Sequence, residues 1–303
     1  MINIKDLIVI TGPTASGKTA LSVELAKRLD GEIVNADSMQ IYKYMDIGTA
    51  KPDMEERQGI THHLIDIVNP DEQFSVARYC ECAKEVIDDI HKRGKIPVMV
   101  GGTGLYVDSL VNNIQFSEIE PDEDYRNEME NLADEKGKEY IYKMLEDIDP
   151  ESASKIKVAD RKRIIRALEV YHLTGKTITW HNQQSRCVPS PYNTTMFAID
   201  VDREALYDKI NRRVDIMIAK GLVDEVKKIM GMGIQRDATS MQAIGYKEIV
   251  EYLEGYITLD EAIDKIKQGS RRYAKRQLTW FRRNEKIHWI SSIDEVLSIL
   301  KIK

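Results

Sequence analysis

Cysteine is scarce here, three residues in a chain of 303. That is too few for a disulfide framework. Cys80 and Cys82 are spaced like a ligand pair. However, the helix expected from the N-cap Ser75 to Gly94 puts Cys80 on an apolar stripe with Val76, Ala83, Ile87 and Ile90 and turns Cys82 away. Two thiols on different faces cannot share a metal. His62 and His63 are adjacent and lack a partner at ligand spacing, so a local structural role is expected. No apolar run approaches the ~20 residues that span a bilayer. "LIVI" at 7–10 is too short, and its front too uncharged, for a secretory signal. A cytoplasmic location is expected. There is no internal repeat and no low-complexity tract, and a formal net charge of −6 does not by itself suggest nucleic acid.

What is present reads as alternating strands and helices. "LIVIT" predicts a buried strand, followed by a glycine-rich loop and a helix from about Thr19 to Leu29. "GEIVNADS" predicts a second strand ending at Asp37 and Ser38, and "IPVMVGGTG" a third running into glycines. This is the βαβ pattern of a doubly wound parallel sheet, in which ligands bind at the carboxyl ends of strands. From about Ser117 the composition changes. Acids outnumber bases across Glu118–Glu151, and then six bases and one acid lie between Lys155 and Arg166. Asp160 and Gly175 cap a helix there. "MFAIDVD" resumes a strand, followed by helices at 204–220 and 222–230. A capping box at Thr258 opens a long helix through Lys286; "IHWI" is a late strand and "SIDEVLSILK" a closing helix. The expected class is α/β, a P-loop NTPase-like doubly wound sheet with a helical insertion: 1–116 as the first part of the core, 117–188 as the insertion and 189–303 as the second part.

"GPTASGKT" at 12–19 matches GxxxxGK[ST] in full, between a strand and a helix. Backbone amides of Gly12, Pro13's neighbours Thr14, Ala15 and Ser16, and Gly17 line a nest for a di- or triphosphate. Lys18 adds a mobile charge and Thr19 can hold magnesium. The motif specifies the anion, not the reaction. A kinase normally adds an acid at another strand end, but the third strand ends in "GGTG". The acid is Asp37, which can hold magnesium through water, take a proton from a nucleophile, or merely cap a turn. The glycines around Thr103 allow close approach of a ligand or make a tight turn. Arg213 borders the apolar stripe of Leu206, Ile210, Val214 and Met217, so it needs an anion: a structural carboxylate or a phosphate. Seven bases and one acid between Arg271 and Lys286 are interleaved with Tyr273, Trp280 and Phe281. Charge runs are usually solvated faces, yet two basic segments with aromatics suit RNA.

These pieces together resemble the tRNA dimethylallyltransferase (tRNA isopentenyltransferase) family over nearly the whole chain. The residues that carry the likeness are "GPTASGKT" at 12–19, "NADSMQIYKYMDIGTAKP" at 35–52, "HHLID" at 62–66 and "VGGTGLY" at 100–106. They continue with "DRKRIIRALEV" at 160–170, "RVDIMIAKGLVDEV" at 213–226, "QAIGYKE" at 242–248 and "YAKRQLTWFRR" at 273–283. The resemblance implies transfer of a dimethylallyl group from dimethylallyl diphosphate to N6 of the adenosine at tRNA position 37, in tRNAs reading codons that begin with U. It implies that the phosphate loop holds the donor diphosphate with Lys18, Arg213 and Mg2+, the last on Thr19. Asp37 is the implied general base, and Thr103 positions diphosphate and amine. The implied tRNA contacts are Asp37, Ser38, Met39 and Gln40; Lys162, Arg163, Ile164, Ile165 and Arg166; Gln242, Gly245, Tyr246 and Lys247; and Lys275, Arg276, Gln277, Trp280 and Arg282. The partner is the anticodon stem-loop, and a monomer without membrane attachment is expected. Some family members carry glutamine where this chain has Lys162. The absence of a C-terminal zinc finger extension points to the bacterial type. The competing readings are an ATP-using small-molecule kinase, a prenyltransferase acting on free adenine nucleotides, and a non-catalytic RNA-binding module.

Overall fold

The computed structural model describes residues 5–116 and 120–302. Leu7–Ile10, all buried, form the centre of strand β1 (Lys5–Thr11). The chain continues through α1 (Lys18–Arg28), β2 (Gly31–Asn35), the short α2 (Met54–Arg57), β3 (His62–His63), α3 (Val76–Lys92), β4 (Ile96–Val100) and α4 (Gly104–Val111). A helical segment follows: α5 (Glu123–Lys136), α6 (Lys138–Ile148), α7 (Pro150–Ala153), α8 (Arg161–Thr174) and α9 (Ile178–Gln184). The last part holds β5 (Tyr192–Ile199), α10 (Arg203–Ala219), α11 (Leu222–Gly231), α12 (Tyr246–Leu253), α13 (Leu259–Phe281), β6 (Ile287–Ile290) and α14 (Ile293–Leu300).

Six strands form one parallel sheet in the order β3-β2-β4-β1-β5-β6. Parallel strands are covered on both faces, which is why β1, β2 and β4 read as continuous apolar runs rather than alternating ones. One face packs α3 and α4 through Tyr79, Ala83, Ile87, Val107 and Leu110. The other packs α1 and α14 through Leu25, Val296 and Leu297. Tyr79 and Tyr106 stack at 3.9 Å between α3 and α4. Cys80 is buried on the α3 stripe and Cys82 is not, and all three cysteines are free.

The chain divides into two compact units, Met1–Val111 with Pro191–Lys303, and Asn112–Ser190. The second therefore begins before the expected 117 and ends after 188; residues 117–119 lie outside the described residues. Its own core is made of Met129, Ile141, Leu145, Ile164, Ile165 and Leu168. Glu169, fully buried, accepts from Arg126, Arg166 and the Asp122 amide.

Several boundaries differ from those read in the sequence. β2 and β4 stop at Asn35 and Val100, so Asp37, Ser38, Gly101 and Gly102 lie in loops beyond the strands. α13 ends at Phe281, not Lys286, because the chain must turn before β6 starts at Ile287. The Asn284 side chain makes that turn by accepting from the Lys286 amide. His62 and His63 form the edge strand β3, where His63 pairs with the buried Glu32 at 2.7 Å. Among the described residues no helix is long and apolar enough to cross a membrane.

Candidate active site

The site lies in the sheet unit, beyond the carboxyl ends of β1, β2 and β4. Past β1 the phosphate loop bends through three left-handed residues: Gly12 at φ 135°, Ala15 at 63° and Gly17 at 97°. Gly17 is the N-cap of α1, so the positive end of that helix faces the loop. The Lys18 ammonium folds back to donate to the carbonyls of Gly12 (3.0 Å) and Pro13 (2.7 Å). Among the described residues the buried Ser16 hydroxyl has no partner, an orphan donor in the phosphate loop.

Past β2, the Asp37 carboxylate accepts the Met39 amide at 2.9 Å, and the Asp37 amide donates to Asn35 at 3.2 Å. Asp37 is thus both a turn residue and a site residue. Burial raises its pKa, opposed by the nearby Lys18 charge. Burial also lowers Lys18 to about 8, with Asp37 pulling it up and Arg213 pushing it down. Past β4, the Thr103 hydroxyl accepts the Ser38 amide at 3.0 Å. Arg213 lies on α10 beside buried Ile210 and Val214. It makes no hydrogen bond or ion pair with any described residue, Glu56 being only a distant opposite charge, and burial depresses its pKa. Of the two anions Arg213 could serve, a structural carboxylate is therefore not in contact.

Asp37, Thr14 and Arg213 line one cavity of about 420 Å³. Its other wall is apolar, with Ile210, Val214, Met217, Ile244 and Ile266. Tyr273, which the sequence reading did not place at the site, also lines it, and burial pushes its phenol up to about 12. The loop carrying Gly48, Thr49 and Ala50 closes one side. Glu225 pins that loop. Its carboxylate accepts the amides of Asp46 (2.9 Å), Ile47 (2.8 Å) and Gly48 (3.0 Å), and the Tyr246 hydroxyl at 2.6 Å. A methyl on Gly48 would come within 2.4 Å of the Tyr246 ring.

The glycines of "GGTG" make room for neighbouring parts of the chain. A Cβ on Gly101 would meet the Ala36 carbonyl at 2.2 Å, one on Gly102 the Gln277 amide at 2.1 Å, and one on Gly104 the Trp280 ring at 2.5 Å. The expectation was approach of a ligand or a tight turn; the groups that approach these glycines here are those of Ala36, Gln277 and Trp280.

Several residues expected on the RNA surface are not on a surface. Ile164 and Ile165 are core residues of the helical unit. Tyr246 is fully buried, with its hydroxyl held by Glu225. Gly245 is buried at the start of α12, at φ 101°. Gln277 is buried between the phosphate loop and Gly102. Lys162, Arg163, Gln242, Lys247, Lys275, Arg276, Trp280 and Arg282 are exposed, and Ser38, Met39, Gln40 and Arg166 are half-buried. The Trp280 indole donates to Asp108 at 2.7 Å. Gln40 donates to the carbonyls of Thr49 and Ala50. In the insertion the basic run is largely answered locally: Lys155 pairs with Glu151, Arg161 with Asp134, Arg163 with Asp160, and Arg166 with Glu169.

The sequence model of the family described as IPP transferase matches residues 40–284. The chain belongs to the IPP transferase family. It is 54% identical over 297 residues to the tRNA dimethylallyltransferase of Acetivibrio thermocellus, covering 98% of this chain and 95% of that protein. A second relative, the tRNA dimethylallyltransferase of a Thermoanaerobacter species, is 54% identical over 285 residues, 93% of this chain and 90% of the relative. Among solved structures, the full-length tRNA isopentenylpyrophosphate transferase of Bacillus halodurans superposes with a TM-score of 0.74 at 47% identity, covering 98% of this chain and 96% of that one. A eukaryotic dimethylallyltransferase acting on tRNA superposes at 0.77 with 33% identity, over 91% of this chain and 70% of that chain. The IPP transferase assignment matches a phosphate loop whose neighbouring strand β4 ends in glycines rather than a carboxylate.

Proposed function

We propose that the protein transfers the dimethylallyl group of dimethylallyl diphosphate to N6 of the adenosine at tRNA position 37, next to the anticodon, in tRNAs reading codons that begin with U. One observation carries the reading: the phosphate loop opens, past Thr14, onto an apolar cavity that also holds the Asp37 carboxylate. A donor with a charged end and a short hydrocarbon end fits such a cavity. A nucleotide triphosphate with a polar acceptor has no use for the wall of Ile210, Val214, Met217 and Ile266.

In the proposed reaction the carbon–oxygen bond of the donor breaks and diphosphate leaves with the electron pair. The N6 lone pair forms the new carbon–nitrogen bond, and Asp37 takes the N6 proton. The loop amides other than that of Thr14, which Gln277 holds, stabilise with Lys18 and Arg213 the charge that grows on the leaving group. Thr103 holds the loop behind Asp37 in place through the Ser38 amide. The donor set suits magnesium: the Thr19 hydroxyl and the diphosphate itself are hard oxygen donors, and the buried Ser16 hydroxyl of the same loop is without a partner among the described residues. Bound there by Thr19, magnesium would neutralise part of the diphosphate charge. The target base must leave its stack to reach Asp37, which costs on the order of a few kcal/mol. Exposed Lys275, Arg276 and Arg282 on and just after α13 supply phosphate contacts on the sheet unit.

The test is incubation with labelled dimethylallyl diphosphate, magnesium and an unmodified anticodon stem-loop. N6-prenyladenosine and released diphosphate are expected, with no turnover of ATP. Transfer to AMP at a comparable rate, or ATP hydrolysis without prenylation, would overturn the proposal.

A further inference from the structure

Gln277 joins parts of the sheet unit that are far apart in sequence. It is 4% exposed, and both ends of its amide are used. Oε1 accepts the Thr14 amide of the phosphate loop at 2.8 Å, across 263 residues of sequence, and Nε2 donates to the Gly102 carbonyl at 2.9 Å. Gly102 has no room for a side chain, because a Cβ there would lie 2.1 Å from Nε2. On the same helix face, Tyr273 one turn earlier lines the cavity and Trp280 one turn later sits against Gly104. A hydrocarbon of the same length would fill this space as well as glutamine does. Only a group that both accepts and donates can satisfy the Thr14 amide and the Gly102 carbonyl together, and a buried backbone group left unpaired is costly.

We propose that Gln277 is a positioning residue for the donor diphosphate: it takes the amide at the mouth of the phosphate loop, ties the loop to the segment after β4, and so fixes the direction in which the rest of the loop faces the leaving group. The proposal rests on the prenyl-transfer reading above. It removes Gln277 from the RNA surface and gives it a role at the other substrate.

The experiment measures initial rates with donor and stem-loop varied separately, and inorganic pyrophosphate binding by calorimetry with magnesium, for the wild type, Gln277→Met, Gln277→Glu and Gly102→Ala. Gln277→Met should raise the donor KM and the pyrophosphate dissociation constant about tenfold while the stem-loop KM stays within about twofold. Gln277→Glu keeps an acceptor for Thr14 but sets a carboxylate against the Gly102 carbonyl and beside the diphosphate, so its donor KM should rise further. Gly102→Ala leaves Gln277 in the chain but displaces its amide, and should reproduce the Gln277→Met phenotype. Combining the two should add little, as expected for residues acting through one contact. Should Gln277→Met fail to fold, Gly102→Ala decides by itself. Unchanged donor KM and pyrophosphate affinity in the folded variants, or equal losses for donor and stem-loop, would overturn the proposal. Failure of the prenyl-transfer reading is distinguishable, because it would show as absent transfer in the wild type.

Discussion

The Thr103 hydroxyl accepts the Ser38 amide at 3.0 Å, joining the loop after β4 to the loop that carries Asp37. The hydroxyl also donates to Ser38 Oγ at 3.3 Å. Thr103→Val keeps the shape and removes the oxygen, so kcat should fall by on the order of tenfold or more as the Asp37 loop loses its register. Thr103→Ser should recover most of the rate. Equal rates in the valine and serine variants would show that the hydroxyl does not hold the loop.

Asp37→Asn keeps an acceptor for the Met39 amide while removing the base. Transfer should fall by about 10²–10⁴, with pyrophosphate affinity retained or improved, since a negative charge has left the site. In the wild type, burial raises the Asp37 pKa. The base works only when ionised, so the rate should drop as pH falls through that raised value, on an acid limb above the ordinary aspartate range. The limb should vanish in the asparagine variant. Single-turnover rates across pH check both points.

Burial lowers the Lys18 pKa to about 8. In the proposed reaction diphosphate binds the ammonium form, so donor affinity should be flat below about pH 8 and weaken above it, by up to tenfold per unit. Binding above pH 8 should take up protons, which calorimetry in buffers of different ionisation enthalpy reads directly. Stability of the free protein has the opposite sign: between about 8 and 10.5 the unfolded chain carries a proton that the folded one lacks, so Lys18's contribution makes stability rise with pH.

Arg213 lies at the cavity without an ionic partner among the described residues. Arg213→Gln should raise the donor KM by about tenfold or more and lower kcat if its charge acts on the leaving group as proposed. Its melting temperature should hold or rise, since a buried unpaired cation is removed. A drop in Tm with unchanged donor KM would make Arg213 structural.

Arg163 and Arg166 should separate on charge reversal. Arg163 is exposed and pairs, among the described residues, with Asp160 three residues earlier at the helix N-cap, so Arg163→Glu should weaken stem-loop binding and flatten its salt dependence by about one counterion. Arg166 neutralises the fully buried Glu169. Arg166→Glu sets two carboxylates together and should destabilise the helical unit by about 3 kcal/mol or more. Denaturant melts and filter binding on both variants test the contrast.

The phosphate loop, Asp37 and the inward placement of Arg213 were legible because each is a local pattern: a spacing of glycines, a strand end, a helical stripe. The sheet's parallel class followed from the strand–loop–helix–strand alternation of the first hundred residues. What was not legible depended on partners distant in sequence. "GGTG" alone does not say whether ligand, turn or neighbouring chain fills the space, and the answer lay in Ala36, Gln277 and Trp280. "KRIIR" reads as a basic face, yet Ile164 and Ile165 are its inward half. Two-residue β3 is too short to show any alternation. α13 ended early because β6 had to start, a demand set by the sheet and not by the helix.

Four donors converge on the one carboxylate of Glu225, three from consecutive amides and one from Tyr246. Such a knot does not loosen by degrees: any side chain at Gly48 would run into the Tyr246 ring, and freeing Tyr246 would remove one of the four donors that hold Glu225. This rim of the cavity therefore behaves as a fixed doorframe. Molecules pass it by fitting, and whatever gating the enzyme needs must come from elsewhere in the chain.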